Sequence, residues 1–334
     1  MTEPIRPFSD EQARTLVNLR QRYEVWIEAE QALFALPYDL RRKTVGGRAY
    51  LYEINDRSGN GTSLGRWDDA KAKRFADYKA AKAALKHRGD TARGVLAESS
   101  RLARALRLPL LSSDAGSILR EADRRGLLGR ELLVVGTNCM AAYAQEVGGL
   151  ITGAPDETED FDLAWAASEA SSAAALWDLL KAVDPTFTIN SERDFQARNA
   201  KAYEVELLVA PSRAATHWPK DRPRPIALPE QEWLLPGRWV DQVVACRDGS
   251  PARIVAPDPR WFALHKLWMA QKPSRDPLKR SKDRKQGLAL LGAVAEAMPR
   301  YPLDAAFEAN LPGDLRPIWE AWRDGLHAPA RGGW

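Results

Sequence analysis

Two aspartates separated by one residue, Asp160 and Asp162, lie in an apolar run that is typical of a buried strand. Because successive side chains of a strand point to opposite faces, both carboxylates should share one face while Phe161 and Leu163 enter the core. Neighbouring carboxylates repel each other unless water or a cation screens them. Further acidic residues come just before the pair: Asp156, Glu157 and Glu159. The cluster is therefore a candidate cation site.

A second feature is Gly136-Thr137, which ends the apolar run "ELLVVG" at the start of a short predicted helix. Glycine lets a phosphate approach the backbone, and the Thr137 hydroxyl with the helix N-terminal amides can hold the outer phosphates of a nucleotide. A third carboxylate, Glu206, lies on a later predicted strand, "YEVELLVA", and Glu204 points to the same face of that strand. Either glutamate could join the aspartates.

Together these features predict phosphoryl-type transfer. Hard divalent cations prefer carboxylate oxygens, so Asp160 and Asp162 could hold Mg²⁺ against the phosphates of a nucleotide. Such reactions depend on metal to neutralise charge and to align the nucleophile with the leaving group. The third carboxylate would complete a second metal site and help to deprotonate the attacking hydroxyl.

Other familiar chemistries lack their motifs. The glycine-rich "GNGTSLG" does not have P-loop spacing, misses GxGxxG by one residue, and is predicted to be a turn inside a hairpin. A GxSxG nucleophile motif does not occur. The histidines are scattered and pair with no cysteine at metal-ligand spacing: His87, His217, His265 and His327.

The elements that must position these residues alternate between strands and helices from about Ser112 to Pro257, which predicts a sheet-based domain. The expected organisation is therefore an N-terminal helical region (1–111) with a β-hairpin at about 47–65, a core (112–257) and a C-terminal helical domain (258–334). Ser9 and Gln12 form a capping-box pattern before the first long helix. A helical segment from about Asp68 to Leu106 is expected to break around Gly89.

Composition narrows the setting. The 334 residues are 45% hydrophobic and 28% charged, which is ordinary for a globular protein. Only Cys139 and Cys246 are cysteines, too few for a disulfide framework, and the sequence has no membrane-length apolar run and no signal-peptide pattern. A cytoplasmic protein without membrane contact is expected.

The basic charge is unevenly distributed. The segment "KPSRDPLKRSKDRK", Lys272 to Lys285, has seven Lys or Arg and two Asp, whereas the whole chain has a net charge of +4. Such a segment is either a solvated helix face or a contact for phosphate or a polyanion. In the hairpin, Tyr50 and Tyr52 alternate along a strand, where they either fill the core or stack on bases.

Three segments resemble motifs of the DNA polymerase β-like nucleotidyltransferase superfamily. "VVGTNCMAAYAQEVGG" resembles its glycine-Ser/Thr motif, "TEDFDLAW" its DxD motif and "VELLVAP" its third-carboxylate motif. More narrowly, the chain resembles a bacterial "nucleotidyltransferase fold protein" branch related to abortive-infection and toxin-type nucleotidyltransferases. Upstream "YLYEINDRSGNGTSLG" and downstream "FALHKLW" and "KRSKDRKQG" extend the likeness to about residues 50–290. The resemblance implies an α/β (α+β) fold with a small mixed-sheet core.

The resemblance also implies roles for individual residues. The implied catalytic and metal-binding residues are Asp160, Asp162 and Glu206. The implied nucleotide-binding residues are Gly136, Thr137, Asn138, Lys266, Lys282 and Asp283. The chain departs from the family pattern in two places, because Asn138 stands where many members have a small residue and Glu206 where Asp is usual. Glu204 remains an alternative third acid, and Lys266 could instead extend from a packed apolar face.

The resulting expectation is a metal-dependent nucleotidyltransferase that moves an NMP group from an NTP to an acceptor hydroxyl and releases pyrophosphate, with Mg²⁺ or Mn²⁺ as cofactor. The acceptor is an RNA end (tRNA-like), a protein side chain or a small molecule, and the basic helix favours RNA. The resemblance leaves a toxin or phage-defence role with a cognate antitoxin open. The alternative is a catalytically inactive module that binds nucleic acid or a partner protein.

Overall fold

The structure of the chain is a computed structural model that describes residues 4–155, 160–169 and 176–327, with side chains up to residue 325. The acidic residues Asp156, Glu157 and Glu159 lie outside the described residues. The α-helices of the described ranges are α1 (Asp10–Ala35), α2 (Asp69–Ala105), α3 (Ser113–Arg124), α4 (Met140–Val147), α5 (Leu176–Val183), α6 (Pro259–Met269), α7 (Pro277–Ala297), α8 (Ala305–Ala309) and α9 (Arg316–His327).

The strands are mostly short. They are β1 (Ile5–Pro7), β2 (Asp39–Val45), β3 (Arg48–Ile54), β4 (Gly61–Arg66), β5 (Leu110–Leu111), β6 (Leu132–Val135), β7 (Gly149–Ile151), β8 (Asp160–Trp165), β9 (Thr188–Ile189), β10 (Gln196–Arg198), β11 (Glu204–Val209), β12 (Ile226–Ala227), β13 (Val240–Cys246) and β14 (Ala252–Ala256). Helices and mixed sheets together confirm the expected α+β class.

The central sheet has the order β6-β8-β11-β10-β9, and β12 pairs with the far end of β11. Strands β6 and β8 are antiparallel, whereas β8 and β11 are parallel. One face of β8 and β11 is fully buried in the main hydrophobic cluster, with Phe161, Leu163, Val205 and Leu207 at 0% exposure. The alternation that the sequence predicts for Asp160–Trp165 is confirmed, because the two aspartates lie on the opposite, partly exposed face.

The C-terminal helices pack onto this core. Side chains of α6, α7, α8 and α9 belong to the same hydrophobic cluster as the central sheet, as does the antiparallel pair β13-β14. A β-carbon at Gly287 of α7 would lie 2.8 Å from the carbonyl oxygen of Ala263 in α6, so the absence of a side chain lets the two helices approach closely. This close packing fixes how α6 and α7 face the sheet.

The N-terminal part is a helical hairpin of α1 and α2 with a three-stranded sheet, β2-β3-β4, between them in sequence. The predicted capping box at Ser9 and Gln12 is present, and the predicted hairpin corresponds to β3 and β4. The expected break around Gly89 is wrong: α2 runs unbroken through it. Gly89 is buried against α1, so tertiary packing outweighs the weak helix propensity of one glycine.

None of the helices in the described ranges is long and apolar enough to span a membrane.

Candidate active site

Four carboxylates lie in register on two neighbouring strands. Because β8 and β11 are parallel, Asp160 pairs with Glu204 and Asp162 pairs with Glu206. Side chains at directly paired positions share one face of a sheet, so all four carboxylates lie on the face opposite the buried Phe161. The two acidic pairs predicted from sequence are therefore brought together by the sheet.

Polar side chains bind Glu204 and Glu206 and hold them in place. The side-chain amide of Gln196, on β10, donates to Glu204 Oε2 and to Glu206 Oε1, each at 3.0 Å. Arg198 Nε lies 2.9 Å from Glu204 Oε1. Glu204 is thus neutralised by an arginine, whereas the contact described for Glu206 is a neutral amide. Of the two candidates for a third acid, Glu206 keeps more of its negative charge uncompensated and lies beside Asp162.

Burial and mutual repulsion perturb this cluster. Burial, followed by the charges of Glu206 and Asp160, raises the pKa of Asp162 to about 6, and Lys266 and Lys279 oppose this rise. Burial is also the main cause that raises the pKa of Glu206 above its ordinary value, although the hydrogen bond from Gln196 lowers it. Carboxyl groups whose pKa values are raised by burial and by neighbouring negative charges are typical of functional sites.

Gly136 makes the turn beside Asp162. Val135, the last residue of β6, pairs with Asp162, and Gly136 follows with φ +74°, a left-handed conformation that favours glycine. A β-carbon at Gly136 would lie 2.1 Å from Asp162 Oδ2. Only glycine therefore permits both the turn and this close approach of the backbone to the carboxylate.

The next two residues are buried and held by long-range contacts. Thr137 begins a 3-10 turn, Thr137–Cys139, that leads into α4, and its hydroxyl accepts a hydrogen bond from the Gln286 amide of α7 at 3.3 Å. The same amide donates to the Pro155 carbonyl. The Asn138 amide donates to the main-chain carbonyl of Asp160 at 3.1 Å. Asn138 thus fixes the turn against the strand that carries the aspartates, which explains a polar residue at this position.

The lysine predicted on α6 is paired, not exposed. Lys266 Nζ lies 2.8 Å from Asp283 Oδ1, and both side chains are buried. Arg275 Nε binds the other oxygen of Asp283 at 2.9 Å. Asp283 therefore holds two cations in place, and the cation of Lys266 is close enough to Asp162 to lower the pKa of that carboxyl. Lys266 does not simply extend to solvent from an apolar face.

The basic segment supplies a further cation to the carboxylates. Lys279 Nζ lies 3.3 Å from Asp160 Oδ2 across an exposed ion pair. Lys282 is half-buried, and burial followed by the neighbouring charge of Lys266 lowers its pKa. The amino end of α7 thus faces the acidic cluster. The family resemblance implied a nucleotide-binding role for Lys282, whereas Lys279 was predicted only as part of the basic segment.

Two openings meet the site. A small cavity of about 140 Å³ is lined by Gly136, Asp162, Glu206 and Lys266 among others. A larger cleft of about 920 Å³ is lined by Thr137, Asn138 and Tyr203 together with arginines from outside the core strands. A cleft of this volume is in the range that accommodates a nucleotide-sized ligand.

Several contributing residues were missed from the sequence. Gln196 and Gln286 carry hydrogen bonds to Glu206 and Thr137, yet neither belongs to a recognised motif. Gln286 had a weak signal, since it lies one helical turn after Asp283 on the same predicted helix. Gln196 had none, because its role depends on the pairing of β10 with β11.

The carboxylate oxygens of Asp160, Asp162 and Glu206 are chemically suited to bind a hard divalent cation. Carboxylate oxygens are what Mg²⁺ and Mn²⁺ prefer, and Lys279 at Asp160 shows that the cluster attracts positive charge. In the described ranges, no group of three or more His, Cys, Asp or Glu side chains is arranged as a metal-binding cluster. The assignment of Asp160, Asp162 and Glu206 as metal ligands therefore stays a prediction.

Comparison with known proteins defines the class. A family model described as nucleotidyltransferase matches residues 113–311, from the first residue of α3 to just beyond α8. The chain belongs to this nucleotidyltransferase family. Searches of curated proteins and of solved structures found no match. Family membership supports NMP transfer from an NTP as the general activity, and the helical hairpin with its three-stranded sheet lies outside the matched range.

Proposed function

We propose that the protein is a metal-dependent nucleotidyltransferase that transfers an NMP group from an NTP to an acceptor hydroxyl and releases pyrophosphate. The observation that carries this proposal is the register of β8 and β11, which sets Asp160 and Asp162 beside Glu204 and Glu206 next to the turn at Gly136. Acidic side chains on adjacent strands beside a glycine turn suit the chemistry of the family.

Asp160, Asp162 and Glu206 would hold Mg²⁺ or Mn²⁺. When bound, such a cation neutralises charge on the phosphates and favours deprotonation of the acceptor hydroxyl. Burial and the repulsion among the carboxylates raise the pKa values of Asp162 and Glu206, and a bound cation would relieve that repulsion. Gln196 would hold Glu206 toward Asp162 through the amide hydrogen bond that it already makes.

The phosphates of the NTP would lie against the turn that follows β6. The Thr137 hydroxyl accepts from Gln286 and keeps its own hydrogen, so it has the polarity to donate to a phosphate oxygen. Lys282 and Lys266 would supply positive charge from α7 and α6. Asp283 would act as a positioning residue, since its two oxygens are already bound to Lys266 and Arg275.

An RNA end is the favoured acceptor, on the evidence of the basic amino-terminal part of α7, while a protein side chain and a small molecule remain alternatives. Lys279 and Lys282 lie close to the carboxylates, and Arg284 and Lys285 continue the basic surface with exposed side chains. The resemblance to toxin-type nucleotidyltransferases suggests a toxin or phage-defence role with a cognate antitoxin as partner.

The test is label transfer by the purified protein. Each α-labelled NTP is incubated with Mg²⁺ or Mn²⁺ and with total cellular RNA, total cellular protein or a small-molecule extract, and both label incorporation and pyrophosphate release are measured. We expect labelled acceptor with one NTP and none with Asp162→Asn. Absence of incorporation and of pyrophosphate release under every combination would support the inactive binding module instead.

A further inference from the structure

The three-stranded sheet of β2, β3 and β4 has one face that packs onto α2. On that face, Leu40 and Leu51 are buried in a small hydrophobic cluster with Tyr78 of α2. The acidic Glu53 belongs to this side as well, where Arg74 of α2 lies 3.3 Å from it. Strand alternation therefore directs the side chains of the paired positions Arg41-Tyr52 and Lys43-Tyr50 to the opposite face.

The outer face carries rings and positive charges in rows across the strands. Tyr50 and Tyr52 lie two residues apart on the central strand, so their Cα atoms are about 7 Å apart along it. Neither belongs to the hydrophobic cluster under the sheet. Both are only partly buried. The register sets out two rows, Lys43-Tyr50-Arg66 and Arg41-Tyr52-Ser63.

The charge of this face is positive. Arg41, Arg48 and Arg66 are exposed, and Lys43 Nζ lies 4.9 Å from the centroid of the Tyr52 ring. The acidic residue at the edge of the face, Asp39, is already paired with Arg41 and with Lys79 of α2, at 3.0 and 3.2 Å. Two aromatic rings are thus framed by cations on a surface outside the family core.

We propose that the outer face of the β2-β3-β4 sheet, hereafter the outer sheet face, is a docking surface for single-stranded nucleic acid. Tyr50 and Tyr52 would stack on successive unpaired bases, and Lys43, Arg41 and Arg66 would pair with the phosphates. Every base has a flat π-face, so aromatic side chains beside basic ones hold a single strand with little dependence on sequence.

A duplex fits this surface less well. Its bases are already stacked within the helix and cannot lie on the tyrosine rings without being unpaired. An acidic protein would meet the same cations, yet it would make no use of two partly exposed rings on the same face of one strand. The outer sheet face lies outside residues 113–311, so the inference stands apart from the proposed transfer.

The experiment measures binding of the full chain to a fluorescein-labelled oligouridylate of about 12 nucleotides, the matching oligodeoxyuridylate and a duplex of the same length, by anisotropy at several salt concentrations. We expect tighter binding of the single strands than of the duplex. Preference for RNA over DNA would add a contact to the 2′-hydroxyl, and equal affinity would indicate stacking and phosphate contacts alone; both support the proposal.

The decisive variants separate the rings from the charges. The double variant Tyr50→Leu with Tyr52→Leu keeps apolar volume but removes the flat rings, and we expect at least a tenfold loss of single-strand affinity. The Phe double variant should keep the affinity. Lys43→Gln and Arg66→Gln should each reduce the slope of log affinity against log salt by about 0.7.

Controls come from the nucleotidyltransferase core. Trp218→Leu and Lys220→Gln replace an exposed aromatic and an exposed basic side chain and should leave oligonucleotide affinity unchanged. The assay contains no NTP and measures binding alone, so a failure of the proposed transfer leaves it intact. If the Leu double variant, with wild-type thermal stability, binds single strands as well as wild type does, or if the duplex binds equally tightly, the proposal is overturned.

Discussion

A β-carbon on Gly136 would lie 2.1 Å from Oδ2 of Asp162, the carboxylate on the neighbouring strand. Gly136→Ala must therefore displace Asp162 and also accept a left-handed φ. We expect loss of NMP transfer, and a loss of unfolding free energy larger than the roughly 1–3 kcal/mol that the backbone conformation at φ +74° and ψ −161° alone costs a non-glycine residue. Urea denaturation and label transfer measure the two effects.

Gly148 is the control for a glycine at positive φ, although its ψ of 26° differs from the −161° of Gly136. Its φ is also +74°, but a β-carbon there would meet no atom within 4 Å. Gly148→Ala should therefore lose only the free energy of the backbone strain and keep transfer activity. Equal destabilisation by the two substitutions, with equal activity, would mean that the approach of Gly136 to Asp162 has no functional consequence.

Substitution of either aspartate should abolish transfer without destabilising the fold. Asp160→Asn and Asp162→Asn should each abolish transfer, because each removes a carboxylate proposed to bind metal. Without metal, Asp162→Asn should raise the melting temperature, since it relieves repulsion with Glu206 and Asp160. Asp160→Asn should leave it nearly unchanged, because the exposed ion pair to Lys279 that it also loses contributes less than about 1 kcal/mol.

Thermal unfolding in a chelator, together with single-turnover transfer in Mg²⁺ and in Mn²⁺, measures both quantities for the aspartate variants. Full activity of either variant, or unfolding of both, would contradict the metal-ligand assignment.

Local pattern predicted the parts of the site that depend on neighbouring residues. Period-two alternation placed Asp160 and Asp162 on one face, and the apolar run before Gly136 placed a strand there; the structure confirms both elements. Whether Glu206 stands beside Asp162 depends on the register of β8 with β11, whose residues are more than forty positions apart. Alternation cannot determine such long-range register, so both glutamates remained candidates.

Tertiary packing decided the features that the sequence did not reveal. The strand β2 was not predicted, since its row of basic residues has no apolar alternation. The ion pairs of Asp283 with Lys266 and Arg275 depend on how α6 packs against α7. The roles of the site residues and the boundaries of the three expected regions remain predictions.

Thr137 provides a test of the phosphate site. Binding of Mg²⁺ with an NTP at about 100 times the dissociation constant should stabilise the wild type by roughly 2.7 kcal/mol, which is a shift of a few degrees. Thr137→Val keeps the β-branched shape but removes the hydroxyl and should reduce this shift. Thr44→Val, at an exposed position on β2, is the control. An unchanged shift in Thr137→Val would remove that hydroxyl from nucleotide binding.

The adjacent residues Lys282 and Asp283 should behave differently. Asp283→Asn leaves the buried cation of Lys266 without its anionic partner, and breaking such a pair costs about 3–5 kcal/mol. Lys282→Gln should slow single-turnover transfer while stability stays near that of wild type, because the side chain is only half-buried. Arg284→Gln, at an exposed position of the same helix, is the control. Wild-type transfer rates in Lys282→Gln would exclude this lysine from the phosphates.

The last prediction concerns the acid stability of the folded chain and rests on His265. Burial, followed by the charge of Lys266 and with smaller contributions from Arg275 and Lys272, lowers the pKa of His265 to about 3, and only Asp283 opposes this. Among the described residues, neither ring nitrogen has a hydrogen-bond partner. The imidazole is therefore buried in its neutral form.

Because an unfolded chain protonates histidine near pH 6.5, the unfolded state binds one more proton than the folded state between pH 6.5 and about 3. As the pH is lowered through this window, the free energy of unfolding should therefore decrease by up to about 1.4 kcal/mol per pH unit because of this group. His265→Leu cannot bind that proton, so its stability relative to wild type should rise steadily below pH 6. His87→Leu, at an exposed position of α2, controls for the substitution. Urea denaturation of the three proteins at pH 7.5, 6, 5 and 4 measures the difference, and parallel pH profiles for wild type and His265→Leu would show that His265 is not buried as a neutral group.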